Sequence, residues 1–209
     1  MTKTVLSFAA VAATGAFFAG AAAAEPTFYL GGGLSFGTAT SLPAPGSPLS
    51  DASTGNPVAL GATVGVRGGA GNLFFGAELD ADIALSGTMD FGGVTCADGF
   101  ANAPYFCSQD ATVRIRGILG TDLGGYELFG TLGYGVMFGQ GAINPGGATD
   151  AGSVGGVTYG LGIQTDMGAG MVRAELIRDD FNNIITMPDG IYSPTWQNSS
   201  LKLSYIMSF

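Results

Sequence analysis

Histidine is absent from the 209-residue chain. Without imidazole there is no Ser-His-Asp or Cys-His nucleophile, no histidine-built zinc site and no imidazole proton shuttle. Charge is also scarce. Seven basic residues stand against sixteen acidic ones, a formal charge of -9 and a pI near 4.1. A face able to neutralise phosphates is therefore lacking, and nucleic acid is excluded as a partner. Beyond the first two dozen residues no apolar run reaches 18, so no transmembrane helix is expected. Disorder is excluded by the opposite measure: 46% of residues are hydrophobic and mean hydropathy is +0.36.

Glycine is abundant, at 37 residues, which excludes coiled coils and helical repeats. Residues 1–24 read as a signal peptide: Lys3, an apolar run from Val5 to Gly20, then Ala22-Ala23-Ala24 ahead of Glu25. The apolar run would rise only about 24 Å as a helix, short of the roughly 30 Å hydrocarbon layer. Export implies an oxidising compartment. Cys96 and Cys107 fall in one loop, and a disulfide pinching it is expected, worth roughly 2–3 kcal/mol by chain entropy. Their spacing does not fit a CxxC redox or metal pair.

From residue 27 onward, apolar and small or polar residues alternate with period two. Eight strands are expected, at about 27–37, 58–68, 72–85, 111–121, 126–138, 154–165, 171–180 and 198–209. Short glycine-rich turns separate the second and third, fourth and fifth, and sixth and seventh. Long loops are expected at about 38–57, 86–110, 139–153 and 181–197. One end of the array is thus tight, the other long-looped. One face of nearly every strand is apolar, and the other holds glycine, Ser, Thr and almost all the charge. A soluble sandwich would show many Lys and Glu to water on its polar face. A closed ring with lipid outside and a narrow polar lumen accounts better for this pattern. The fold expected is all-β: an eight-stranded antiparallel up-and-down transmembrane β-barrel in a single domain, 25–209.

The last nine residues, Leu201 to Phe209, resemble the C-terminal strand of Gram-negative outer-membrane barrels, with Tyr205, Met207 and a terminal Phe209 at alternate positions. With the export segment and the turn pattern, the chain resembles the small barrel group of OmpX, the OmpA transmembrane domain and the opacity proteins. That resemblance implies an outer-membrane location reached through the Sec pathway. It also implies that Tyr205, Met207 and Phe209 are read by the barrel-assembly machinery.

Five of the basic residues after Lys3 fall on the inward register: Arg67, Arg114, Arg116, Arg173 and Lys202. So do Glu78, Asp80, Asp82, Glu127, Glu175 and Asp179. A charge network of Arg67, Glu78, Asp80, Asp82, Arg114, Arg116, Glu127, Arg173, Glu175 and Lys202 is expected in the lumen, since buried charges must be paired. Three uses compete: filling the lumen, lining a small pore, or acid–base work by the Glu78/Asp80/Asp82 row. Arg178 is expected at the loop end, paired with Asp179 or Asp180, or against lipopolysaccharide phosphate. Phe28, Phe36, Phe74, Phe75, Tyr126, Phe138, Trp196 and Phe209 are expected in interfacial girdles, with Trp196 foremost for loop-mediated binding.

No catalytic site, metal site or cofactor is expected, and the chain reads as a non-enzyme. Its partners would be outer-membrane lipid and lipopolysaccharide, the assembly machinery during biogenesis, and a surface ligand met by the loops. A structural or adhesion-like role leads; a small porin-like channel and a soluble secreted carrier are the alternatives. Mass spectrometry of the exported protein is expected to find Glu25 at its N-terminus.

Overall fold

The computed structural model describes residues 25–42, 53–86, 90–91, 94–95, 105–142, 149–181, 185–187, 190–192 and 195–209. The expected signal peptide and Cys96, and with it the Cys96–Cys107 pairing, lie outside the described residues.

Eight long strands follow one another: β1 (Thr27–Leu42), β2 (Val58–Ala70), β3 (Leu73–Ser86), β4 (Tyr105–Asp122), β5 (Glu127–Ala142), β6 (Thr149–Met167), β7 (Gly170–Phe181) and β8 (Thr195–Ser208). Each pairs antiparallel with its neighbour in the chain. β8 then pairs with β1, from Tyr29↔Ser208 to Leu42↔Thr195, and closes the ring. No helix occurs among the described residues. Closure leaves no open edge, so the backbone N–H and C=O groups are satisfied without water.

The closure is staggered. From Gly32 the register passes through Ala62, Ala81, Val113 and Val136 to Gly155 on β6. In the other direction it passes through Tyr205 and Val172 to Thr165 on the same strand. The two paths arrive ten residues apart. A barrel of eight strands with that stagger has strands inclined at roughly 40° to its axis.

Alternation then sorts the side chains. Leu161 is 72% exposed and Ile115, Leu132 and Leu176 each 64%, all pointing outward, whereas Asp80, Arg114 and Arg116 are buried inside. An apolar wall around a charged interior inverts the soluble pattern and suits hydrocarbon as the surrounding solvent. Phe28, Phe36, Tyr126, Phe138 and Phe209 stand on that wall, as the girdle reading expects.

At the tight end, Gly71-Asn72 joins β2 to β3 and Gly168-Ala169 joins β6 to β7. Gly71 (φ 61°) and Gly168 (φ 68°) adopt the left-handed conformation that such two-residue turns demand. At the other end the strands outrun the sequence expectation. β4 begins at Tyr105, β5 continues to Ala142, and β6 begins at Thr149. The expected loop at 139–153 is therefore mostly hairpin, with Gln140↔Ala151 and Ala142↔Thr149 paired. The expected loop at 38–57 likewise contains Ser53–Gly55 paired with Ala39–Ser41. That at 181–197 contains Ile185–Met187 paired with Gly190–Tyr192. Hydrophobic alternation marks a strand only where its two faces meet different solvents. Beyond the apolar belt pairing continues without that signal. Register shifts between Phe106 and Ser108 and between Gln109 and Ala111 also break the period in β4.

Leu203 sits mid-strand in β8, opposite Leu34 of β1 and Ala174 of β7. Leu203→Pro removes a ladder bond at the closing strand. It is expected to abolish the folded, heat-modifiable band on SDS gels, while Leu203→Ala keeps it.

Candidate functional site

The inward side chains form stacked layers. Nearest the turns, Arg67 Nη1 donates to Glu127 Oε2 at 2.6 Å, and Gln164 Nε2 donates to the same oxygen. The Arg67 guanidinium lies over the Phe74 ring, 5.3 Å from its centroid. Arg67 and Glu127 are the partly exposed members of the network, at the floor of a recess of about 170 Å³ that opens at the turn end.

The next layer centres on Glu78. Its Oε1 accepts from the Tyr29 hydroxyl at 2.7 Å and from Arg173 Nη1 at 2.5 Å, and its Oε2 accepts from Arg116 Nη2 at 3.1 Å. Arg173 is packed between Phe129, 4.7 Å from its centroid, and Tyr29 at 5.6 Å. Its Nε donates to Gln164 Oε1 at 2.8 Å. Across the lumen, Arg116 Nη1 donates to Glu175 Oε1 at 2.7 Å, and the Thr131 hydroxyl adds a 2.8 Å bond to that oxygen.

Above it, Arg114 holds three carboxylates at once. Its Nε and Nη2 grip Asp179 in a two-pronged contact at 2.8 and 2.7 Å, the geometry that guanidinium and carboxylate favour. Its Nη1 reaches Asp80 Oδ1 at 2.8 Å and Asp82 Oδ2 at 2.5 Å. Lys202 Nζ meets the remaining oxygens of the same pair, Asp80 Oδ2 at 2.5 Å and Asp82 Oδ1 at 2.7 Å. Thr63 and Asn198 complete the shell on Asp80 and Asp179. Toward the loops, buried Met137, Phe181 and Trp196 cap the column.

All ten residues of the expected network face the lumen, and each carries at least one ion pair with another member. Asp179, on the inward register but at the least regular end of its strand, belongs with them. Five cations then face six acids, and this near balance makes burial tolerable. Tyr29, Phe129, Thr63, Thr131 and Gln164 also enter the network. Their only sequence signal was parity, which does not separate a functional neutral residue from a spacer.

Two aromatic expectations are corrected. Phe74 and Trp196 are buried in the lumen, at 7% and 0% exposure, not in the outer girdles. Parity decides this. Phe74 shares the face of Glu78 and Asp80, and Trp196 that of Asn198 and Lys202. Trp196 is thus removed from the surface as a binding residue. Arg178, by contrast, lies on the outer wall with its Nε 3.0 Å from Asp180 Oδ1 and its Nη1 donating to Ser199 Oγ at 2.7 Å.

Glycines opposite these side chains provide the room. A Cβ at Gly61 would collide with Asp82 and Lys202, one at Gly65 with the Tyr29 ring, and one at Gly162 with the Phe129 ring. With every carboxylate of the Glu78/Asp80/Asp82 row locked by a cation, none is left as a free acid or base. Among the described residues no His, Cys, Asp and Glu grouping forms a metal site.

No family model matches the chain, and no curated protein matches it. Among solved structures, neisserial surface protein A is similar over 85% of this chain and 96% of its own, with 9% identity and a TM-score of 0.45. Ail, the attachment invasion locus protein of Yersinia pestis, solved with the heparin analogue sucrose octasulfate, is similar over 85% and 99%, with 16% identity and a TM-score of 0.40. A major outer membrane protein of Thermus thermophilus is similar over 84% and 99%, with 15% identity and a TM-score of 0.37.

Arg114→Ala leaves Asp179 without its cation, Asp82 with Lys202, and Asp80 with Lys202 and the more distant Arg116 at 4.0 Å. Breaking a buried ion pair from one side costs about 3–5 kcal/mol. The denaturation midpoint of the folded barrel is expected to fall accordingly, and further than for Arg178→Ala on the outer wall, where a loss under about 1 kcal/mol is expected.

Proposed function

We propose that this chain is an integral outer-membrane β-barrel with a closed lumen, whose work is structural and surface interaction at the loop end. The observation that carries this reading is the Arg114 and Arg116 cross-linking of β3, β4 and β7 through the middle of the barrel. An eight-stranded barrel has space inside for its own side chains and little else. Here that space holds a column of paired charges with rings above and below. A soluble ligand carrier would need an apolar cavity within and a polar skin without, and this barrel has the reverse arrangement. A channel would need a continuous wet path, and the two arginine layers lie across it.

The export-like N-terminal segment, the lipid-suited wall and the polar lumen together support an outer-membrane location. Lipid and lipopolysaccharide would surround the belt, and the assembly machinery would read the terminal strand. With the interior occupied by structural charge, no enzymatic activity or cofactor is assigned. The strands continue as paired ribbons beyond the belt, and a surface ligand would be met at that end.

Planar-bilayer recording of the folded protein tests the closed lumen. The native chain is expected to be electrically silent. Steady openings, altered in size or ion selectivity by Arg114→Ala/Arg116→Ala, would give first place to a small channel. Deletion of 87–104 or 43–52 is expected to lower attachment of cells displaying the protein to host-cell surfaces. Attachment unchanged by every loop deletion would remove the adhesion-like role.

A further inference from the structure

The apolar wall is not equally tall all round. In a barrel of eight strands with a stagger of ten, each step along the register climbs about 1.25 residues toward the loops. Two cross-strand rungs therefore stand at matching heights on opposite sides. Arg178↔Ser199↔Thr38, on β7, β8 and β1, lie about 3.5, 4.75 and 6 residues loop-ward of Gly32. Ile83↔Ala111↔Phe138, on β3, β4 and β5, lie about 4.5, 5.75 and 7 residues loop-ward. One rung is polar and the other apolar. The rung beyond Arg178 is polar as well: Asp180↔Gln197↔Thr40.

The polar rungs are bonded along the outer surface. Arg178 ties to Asp180 and Ser199 as described, and the Tyr159 hydroxyl donates to Asp180 Oδ2 at 3.2 Å. The Arg178 and Asp180 side chains are 34% and 33% exposed on the outer wall. On the opposite wall Ile83 is 64% and Phe138 45% exposed.

The turn-side edge of the wall, by contrast, is level. Leu73, Tyr126, Met167 and Phe209 fall within about one residue of each other in height, on the same scale. The apolar span runs from Leu73 to Leu85 on β3, but only from Phe209 to Leu201 toward the loops on β8. At about 2.4 Å of height per inclined residue, that is about 29 Å against about 19 Å. With one edge level, tilting the whole barrel does not absorb the difference.

We infer that the outer face of β7, β8 and β1 is a headgroup-docking notch. Loop-side lipid headgroups and their water descend to Arg178 and Ser199, and the bilayer is thinned there, beside the seam where β8 closes on β1. The occupant is the zwitterionic or anionic headgroup layer itself. The exposed Arg178–Asp180 pair supplies both signs of charge, and the patch is continuous with the polar strand ends above it. A second copy of the chain would instead have to bury that pair against an apolar surface. The inference rests on the membrane-spanning reading above.

Single-cysteine variants in a Cys96→Ser/Cys107→Ser background test it, with Ser199→Cys and Ile83→Cys carrying an environment-sensitive fluorophore. Folded samples are selected by heat-modifiable mobility and placed in phosphatidylcholine vesicles. Thr38→Cys, on the same polar rung, replaces Ser199→Cys if that variant does not fold. The label at 83 is expected to be quenched several-fold more by acyl-chain bromine than by aqueous iodide, and the label at 199 or 38 the reverse. Adding Arg178→Leu/Asp180→Leu is expected to move the label at 199 toward acyl quenching. Acyl quenching at both sites in the unaltered wall overturns the notch while leaving the membrane reading intact. Acyl quenching at neither site overturns the membrane reading itself. Iodide protection at 199 only at high protein-to-lipid ratio would give the face to a second copy.

Discussion

Arg114 is the residue on which the interior depends. It projects from β4, grips Asp179 of β7 with one edge and holds Asp80 and Asp82 of β3 with the other. Charge in the middle of a membrane-sized barrel is tolerable only when each group is neutralised by another in good geometry. The five cations and six acids meet that condition because strand parity sends them all inward and the stagger brings them to matching heights. The two requirements reinforce one another. A one-residue slip of β3 would turn its carboxylates into lipid and leave Arg114 with Asp179 and Arg116 with Glu175 as their remaining partners.

Much of this could be read from the chain beforehand, because two solvents act on alternate residues. Leu60, Val64 and Val66 against Gly61, Thr63 and Arg67 is a pattern that a lipid-facing strand and few other structures produce. All eight strands carry it, and the inward charges follow from it. The parts that escaped reading lie where one solvent surrounds both faces. Ser108, Gln109 and Asp110 extend β4 beyond the belt without alternation, and two register shifts there break the count. The aromatic placement failed for a different reason. Phe74 and Phe75 are adjacent and chemically alike, so proximity to a strand end puts both in a girdle, whereas parity sends Phe74 inside and Phe75 to the wall side.

The glycines complete the interior by subtraction. Along its height the lumen holds four arginines, a lysine, a tyrosine, a tryptophan and three phenylalanines, more bulk than strands with a side chain at every inward position would admit. Gly61, Gly65, Gly120 and Gly162 each vacate the volume that a particular neighbour fills. Their role is spatial, and it explains why glycine is concentrated on the same register as the charge.

The position of Lys202 has a consequence for the order in which the barrel is made. It lies on the last strand, yet its ammonium completes the Asp80/Asp82 pair of the third. Until β8 arrives, Asp82 has Arg114 alone and Asp80 has Arg114 and the more distant Arg116, and the growing sheet carries two more inward acids than cations along with an open edge. Closing the ring removes the edge and halves the negative excess in one event. Electrostatic and hydrogen-bond gains thus coincide at the final strand, which favours the last step of assembly and disfavours reopening at that seam.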